Sequence, residues 1–213
     1  MPATNQRELL ATFLFSNLDK LIMKVKHSQY MQQPEYSNRY SRTAISLHWL
    51  MAMLLICLFA VGIYMHELPL SPWKLQIYSW HKWAGVTAFI LVLVRLAWRF
   101  THRPPALPDH MSSSEKMMAH AGHALLYLLM IAIPVTGWLM SSAKGVQTVY
   151  FGIVPIPDLL AKNKELGNLL RDVHEVLNLT LAVIVIGHMA AALKHQLIKK
   201  DDVLSRMLPR FKR

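Results

Sequence analysis

The run from Val173 to His195, VHEVLNLTLAVIVIGHMAAALKH, constrains this chain most, because histidines interrupt a long apolar segment. On an α-helix, His174 and His188 are separated by a rise of about 21 Å and lie on nearly the same face, and His195 continues the stripe about 10 Å further. Because a bilayer core is about 30 Å thick, one histidine lies near each side of it. Imidazoles facing lipid are costly, so they should face protein or a cofactor. The spacing therefore predicts two stacked metal cofactors.

The composition is that of a small membrane protein. The chain has 213 residues, of which 54% are hydrophobic, and this share is typical of a multi-spanning protein. The formal charge of +11 suits either nucleic acid or a membrane surface. The single cysteine, Cys57, excludes an internal disulfide and iron–sulfur or zinc-thiolate sites, whereas eleven histidines provide nitrogen ligands.

Four apolar segments each have about the twenty residues that a bilayer requires. They cover roughly residues 44–64, 77–97, 121–140 and 173–195. The predicted fold is an all-α, integral membrane four-helix bundle formed by residues 40–213. Pro134 and Gly137 are expected to kink the third span, which neighbouring spans can tolerate.

Residues 1–39 form an N-terminal extension outside this domain. Apolar residues recur between Leu9 and Val25 with helical spacing, and lysines lie among them. The segment is either an amphipathic helix on the cytoplasmic leaflet or the result of a translation start assigned too far upstream, in which case Met31 opens the protein. No function is assigned to it.

The distribution of lysine and arginine predicts the orientation. Seventeen lie in the N-terminal segment, the second-to-third connection and the C-terminal tail, against six in the other two connections. The positive-inside rule therefore places both termini in the cytoplasm. Topology explains the basic charge, and nucleic-acid binding is not predicted.

This orientation sorts the histidines by depth. His48 and His188 lie toward the cytoplasmic side, and His81 and His174 lie toward the outer side. Two axial imidazoles on one iron are what a b-type haem needs, and the bundle core supplies the slot. Four glycines are small enough to let a flat macrocycle approach the helix backbones: Gly62, Gly85, Gly137 and Gly187.

The other histidines and the C-terminal acids receive separate interpretations. His123 opens the third span near the inner pair and is a candidate contact for a haem propionate. His120 lies at the same membrane entrance and is interpreted as interfacial. The rest are interpreted as solvent-facing or loop residues, namely His27, His66, His102, His110, Asp201 and Asp202.

Several ordered sequence pieces together carry a family resemblance. They are YSRTAISLHW at the first span, HKWAG opening the second, VRLAWRFTHRPP closing it, AGHALLYLLMIAIPVTGW in the third, the histidine-containing fourth span, and the tail DDVLSRMLPR. From about Tyr40 to Arg210 the chain resembles the bacterial cytochrome b561 family of small di-haem membrane proteins. That family is related to the cytochrome b subunits of hydrogenases and formate dehydrogenases.

The resemblance implies two haem b groups in the bacterial inner membrane. His48 and His188 would ligate the inner iron, and His81 and His174 the outer iron, which is the pairing obtained from depth. The family also implies exchange with ubiquinone, with His195 as a contact near the inner haem edge.

Charged residues near the two sites have alternative interpretations. Arg42, Arg95 and Arg99 lie on the cytoplasmic side and either neutralise haem propionates or simply anchor the topology. Lys82 follows an outer ligand and either attracts an anionic reactant or snorkels to the interface.

The expected function is electron transfer across the membrane between the quinone pool and a periplasmic redox partner or superoxide. In the latter case the protein would be a superoxide:ubiquinone oxidoreductase. One alternative is a membrane-anchor cytochrome b subunit of a larger dehydrogenase or hydrogenase. Another is a haem-free metal transporter, which the few intramembrane carboxylates disfavour. The direction of electron flow, the oligomeric state and whether the protein acts as an enzyme are left open.

Overall fold

The computed structural model describes residues 39–209, together with Lys20 and Lys24. Within 39–209, four long helices alternate with short connections: α1 is Arg42–Glu67, α2 is Pro72–Thr101, α3 is Ser113–Ala143 and α4 is Lys164–Lys194. The predicted all-α four-helix fold is confirmed. The predictions for the first 39 residues, including Met31, fall on residues that the structure does not describe, apart from Lys20, Lys24 and Arg39.

Each of the four helices is long and apolar enough to cross a membrane. They run past the apolar segments by up to several turns; α4, for example, begins at Lys164 rather than near Val173. Many large apolar side chains, such as Leu50 and Ile186, are more than half exposed on the helix surfaces. In a lipid environment this surface is the expected one, because hydrocarbon surrounds the bundle. The chain is a multi-pass membrane protein.

Polar side chains cap the start of every long helix. Ser41, Ser71 and Asn163 accept hydrogen bonds from backbone N–H groups of the first turns of α1, α2 and α4. At α3, Ser112 and Glu115 form a reciprocal capping box. Such caps satisfy donors that have no partner within the helix and so fix where each helix begins.

Close backbone contacts between helices are most extensive for α3 with α4, followed by α1 with α2 and α2 with α3. Within residues 39–209, the backbones of α1 and α2 make fewer close contacts with α4 than the helices of these three pairs make with each other. The predicted histidine pairs lie between α1 and α4 and between α2 and α4, where the helices are not packed backbone to backbone.

A small hairpin covers one end of the bundle. Strands β1, Val149–Tyr150, and β2, Val154–Pro155, pair antiparallel through a turn in which Phe151 and Gly152 have positive φ. The loop is tied to α2, because Trp83 Nε1 and Lys82 Nζ donate hydrogen bonds to the Val149 and Val146 carbonyls, at 2.7 and 3.0 Å.

The opposite end carries an ordered C-terminal tail. After α4 the chain forms one π-helical turn, His195–Lys199, reverses at Lys200 with φ 55°, and continues into a 3₁₀ turn, Ser205–Met207. The Asp201 side chain is only 5% exposed. The interpretation of Asp201 as part of a solvated tail is therefore wrong, because the reversal at Lys200 turns it back onto the bundle; the Asp202 side chain is 45% exposed.

The capping box predicts the effect of one substitution. Ser112→Ala should destabilise the protein by about 1 kcal/mol, because the N–H groups at the start of α3 lose an acceptor. Thermal unfolding in detergent, followed by circular dichroism, measures the change. Ser113→Ala, in the first turn of the same helix, is the control, and an equal loss in both variants would contradict the assignment of the cap.

Candidate cofactor site

Three histidines from three helices meet toward the end of the bundle that carries the tail. His48 on α1 and His188 on α4 have ring centroids 6.5 Å apart, and His123 on α3 lies 5.3 Å from His188. All three are half-buried. The sequence placed His123 near the inner pair, and the structure brings its ring into edge contact with His188.

The ring distances distinguish the two pairings. A metal–imidazole nitrogen bond is about 2 Å long, so imidazoles on opposite faces of one metal have centroids about 6 Å apart. The 6.5 Å separation of His48 and His188 suits this arrangement better than the 5.3 Å, nearly perpendicular contact of His123 with His188. The geometry favours His48 with His188 as the inner pair.

The Nδ1 partners decide which ring nitrogen can bind a metal. His123 Nδ1 lies 2.8 Å from the Ala119 carbonyl, which can only accept, so Nδ1 carries hydrogen and Nε2 has a free lone pair. His48 Nδ1 lies 2.9 Å from Arg95 Nη2, which can only donate. Coordination through Nε2 of neutral His48 therefore requires Arg95 to release this hydrogen bond.

The outer pair lies toward the hairpin end, with His81 on α2 and His174 on α4. His174 Nδ1 donates to the Ile133 carbonyl of α3 at 3.0 Å, with Thr136 Oγ1 at 3.1 Å. This leaves Nε2 of His174 unprotonated, and a backbone carbonyl behind the ring is the usual support of a metal-binding imidazole. His81 Nδ1 is buried with no hydrogen-bond partner among the described residues, so this side chain is free to take a ligand role.

Two of the four glycines make room for these imidazoles. A Cβ atom on Gly137 would lie 3.2 Å from Cε1 of His174, and one on Gly62 would lie 3.6 Å from Cε1 of His81. Gly137 follows Ile133 by one helical turn, so its missing side chain also leaves the Ile133 carbonyl open to His174. A Cβ on Gly85 or Gly187 would meet nothing within 4 Å among the described residues. The outer site is therefore a cradle for two imidazoles, and its donor set fits a bis-histidine haem.

An arginine-rich cavity lies beside the inner histidines. Its lining includes Arg39, Arg95, Arg99 and Arg103, together with Tyr127. Arg95 Nε donates to the Tyr127 hydroxyl at 3.1 Å. Guanidinium groups bind carboxylates through paired hydrogen bonds, so this lining suits the propionates of a porphyrin.

The arginines that line the cavity are not all the ones predicted from the sequence. Arg95 and Arg99 line it as expected, but Arg42 is exposed and is not among the lining residues. Arg39 and Arg103 were missed, because a basic residue beside a span normally indicates only topology. Arg39 is placed by its hydrogen bonds to the Ser205 and Leu208 carbonyls of the tail, which no local pattern reveals.

Most of the other candidate residues lie apart from these clusters. His66 and His120 are exposed, and Lys82 is held by the Val146 carbonyl. His102, interpreted from the sequence as a loop residue, is exposed but lines the arginine-rich cavity. His195 is buried at 8% exposure and does not line the arginine cavity. Its Nδ1 lies 2.5 Å from Asp201 Oδ2, a contact that no pattern in the sequence indicates.

A membrane four-helix bundle that carries histidines from different helices at two depths has the architecture of a transmembrane cytochrome b. The sequence profile described as prokaryotic cytochrome b561 matches residues 39–210. The chain belongs to this family, and its expected resemblance is confirmed. The family supports a b-type haem and a role in transmembrane electron transfer.

Individual relatives agree with the family assignment. The chain is 33% identical over 171 residues to cytochrome b561 homolog 2 of Escherichia coli strain K12, an alignment covering 80% of this chain and 91% of the relative. It is 30% identical over 175 residues to a probable superoxide oxidase CybB of Yersinia pestis, covering 81% and 97%. Cytochrome b561 homolog 1 of Escherichia coli is 28% identical over 182 residues, covering 82% and 99%.

Proposed function

We propose that the protein binds two b-type haems and transfers electrons across the bacterial inner membrane, with both termini in the cytoplasm. His48 and His188 would hold the inner haem, and His81 and His174 the outer one. The observation that carries this proposal is that α4 places one histidine in each of two clusters, with His48 on α1 near His188 at one end of the bundle and His81 on α2 at the end that holds His174. Bound haem would supply one-electron oxidation and reduction of its iron.

Residues around the histidines would orient the two haems. Ile133 fixes the ring of His174 through its carbonyl. Arg95 and Arg99, with His123 beside them, would neutralise the inner propionates, and the exposed Arg42 would contribute only to the surface charge. Because Arg95 also contacts His48, its move from the imidazole to a propionate would free His48 for iron.

On the cytoplasmic side the exchange partner would be a quinone, ubiquinone in particular, with His195 as its contact. On the outer side it would be a periplasmic redox protein or superoxide. The relative named probable superoxide oxidase CybB supports superoxide. In that reaction two superoxide anions each lose one electron to give dioxygen, and one quinone gains two electrons and two protons. Lys82, beside His81, would attract the anion.

A second candidate is a membrane-anchor subunit that passes electrons from a larger enzyme. The hairpin tip favours it, because Phe151 and Ile153 are 57% and 80% exposed while the loop around them is fixed to α2. Purification in mild detergent tests the two candidates. A stoichiometric dehydrogenase or hydrogenase partner would favour the anchor, and a haem-loaded chain that reduces quinone alone would favour the standalone carrier.

Substitution of the four histidines tests the haem pairing. His48→Ala or His188→Ala should remove the inner haem, and His81→Ala or His174→Ala the outer haem, because each iron loses an axial ligand. Haem per chain and the reduced-minus-oxidised spectrum of the purified variants measure the loss. His120→Ala, an exposed histidine of α3 that does not line the arginine-rich cavity, is the control and should retain both haems. Loss of a haem in His123→Ala, with both retained in His48→Ala, would show that the inner pairing is wrong.

The close approach of Gly137 to His174 gives a second test. Gly137→Ala should weaken outer haem binding roughly tenfold or more. The added methyl group would lie 3.2 Å from Cε1 of His174, so it would push the imidazole out of position and cover the Ile133 carbonyl. Haem titration of the apoprotein measures the affinity. Gly122→Ala in the same helix, where a Cβ meets nothing within 4 Å among the described residues, is the matched control. Equal affinities in the two variants would contradict the role of Gly137.

A further inference from the structure

The arginine-rich cavity extends beyond the level of the inner histidines. Arg95, which contacts His48 and Tyr127, marks its deep end. His102 follows Arg95 by seven residues and caps α2, so it lies about 10 Å further along the helix axis, toward the end of the bundle that carries the tail. Arg103 comes directly after His102 and also lines the cavity. We call the part of the cavity around His102 and Arg103 its shallow end.

Hydrogen bonds between distant segments fix the walls of the shallow end. Trp98 Nε1, near the end of α2, donates to Ser41 Oγ at the start of α1, at 3.1 Å. The Trp98 ring also stacks on His102, with ring centroids 3.7 Å apart and an interplanar angle of 6°. Arg39 Nη2 donates to the Ser205 carbonyl of the tail at 2.6 Å. The start of α1, the end of α2 and the tail are thus held together, which is the preorganisation that favours ligand binding.

The shallow end keeps a positive charge after the haem propionates are assigned. Arg95 and Arg99 are the arginines that the proposed function gives to the propionates. Arg103 adds a further charge, and no residue that the structure describes makes a hydrogen bond or an ion pair with its side chain. No aspartate or glutamate is found among the described residues that line the cavity. The shallow end is therefore suited to a second anion.

The shallow end lies where lipid headgroups are expected. α2 ends at Thr101, just before it, and Trp49 and Trp98 lie at this end of the bundle, as in the aromatic belts of membrane proteins. Phe100, three residues before Arg103, is 79% exposed, so an apolar side chain adjoins the charged surface. Basic pockets between membrane-spanning helices bind anionic lipid headgroups. A phosphate that carries acyl chains fits both surfaces, whereas a free anion fits only the charged one.

We propose that the shallow end binds the phosphodiester of an anionic phospholipid, with Arg103 as the main charged contact and an acyl chain along Phe100. A guanidinium group can donate paired hydrogen bonds to two oxygens of a phosphate. This lipid site goes beyond the proposed function, and it rests on that function only for the assignment of Arg95 and Arg99 to the haem.

Native mass spectrometry of the detergent-purified, haem-loaded chain tests the lipid site, because it counts haem and lipid on the same molecule. Dioleoyl phosphatidylglycerol is the probe, and dioleoyl phosphatidylcholine, which has the same acyl chains but a compensating cation, is the comparison. Phosphatidylglycerol should bind the wild-type chain about tenfold more tightly than phosphatidylcholine. Arg103→Gln should remove most of this difference by weakening phosphatidylglycerol binding roughly tenfold.

Arg42→Gln is the matched control. Arg42 lies at the same end of the bundle, but it is exposed and does not line the cavity. Its loss removes the same charge and should change the affinity for phosphatidylglycerol only about twofold. An equal loss of affinity in the two variants would overturn the lipid site, since the effect would then come from surface charge alone. Wild-type affinity in Arg103→Gln would also overturn it.

Two further arms identify the ligand. Inorganic phosphate, added in excess, should leave phosphatidylglycerol bound, because it lacks the acyl chains. Displacement of the lipid by phosphate would overturn the assignment and indicate a site for a free anion. Equal binding of phosphatidylglycerol and phosphatidylcholine would overturn the role of the arginine.

The haem counts in the same spectra separate the lipid site from the proposed function. Arg103→Gln should hold as many haems as the wild-type chain, and loss of a haem in this variant would place Arg103 with the propionates and overturn the lipid site. A wild-type chain that binds phosphatidylglycerol through Arg103 but holds no haem, although haem was supplied, would contradict the proposed function and support the lipid site.

Discussion

An imidazole inside a hydrocarbon layer needs a partner for each of its nitrogens, and this requirement organises the bundle. Unpaired polar groups in lipid cost several kcal/mol. His174 meets the requirement on one side with a backbone carbonyl, and His123 does so in the same way. In the proposed function, the remaining nitrogen of His174 would be satisfied by the outer haem iron. Packing follows from this, since α1 and α2 stay farther from α4 than α3 does.

Residues outside the histidine layer fix the position of the individual histidine side chains. Gly137 opens both the space for the His174 ring and access to the carbonyl behind it. Arg95 links the inner histidine to Tyr127 and to the arginine cavity. At the end of the bundle that carries the tail, the π-helical turn after α4 returns Asp201 to His195, so the tail folds back onto the bundle rather than trailing into solvent. The same helix, α4, thus contributes to both predicted histidine pairs and leads into the buried contact between His195 and Asp201.

Hydrophobicity in the sequence predicted the four spans, because it extends over many residues and reflects the bulk properties of the bilayer. The ordered motifs predicted the family. The contacts that the sequence missed depend on local backbone geometry. Nothing in the letters around Lys200 indicates a left-handed residue that folds Asp201 inward, so that carboxylate was interpreted as solvated. Likewise, Arg39 lines the cavity only because distant tail carbonyls hold it.

The most direct test of the account is the number of haems per chain. A dithionite-reduced minus oxidised spectrum of the detergent-purified protein, combined with pyridine haemochrome quantification, gives both the number and the type. We predict two b-type haems with sharp low-spin α bands, as expected for bis-histidine ligation at both depths. One haem per chain would mean that one histidine pair is structural, and none in a folded, haem-supplied preparation would contradict the electron-transfer function.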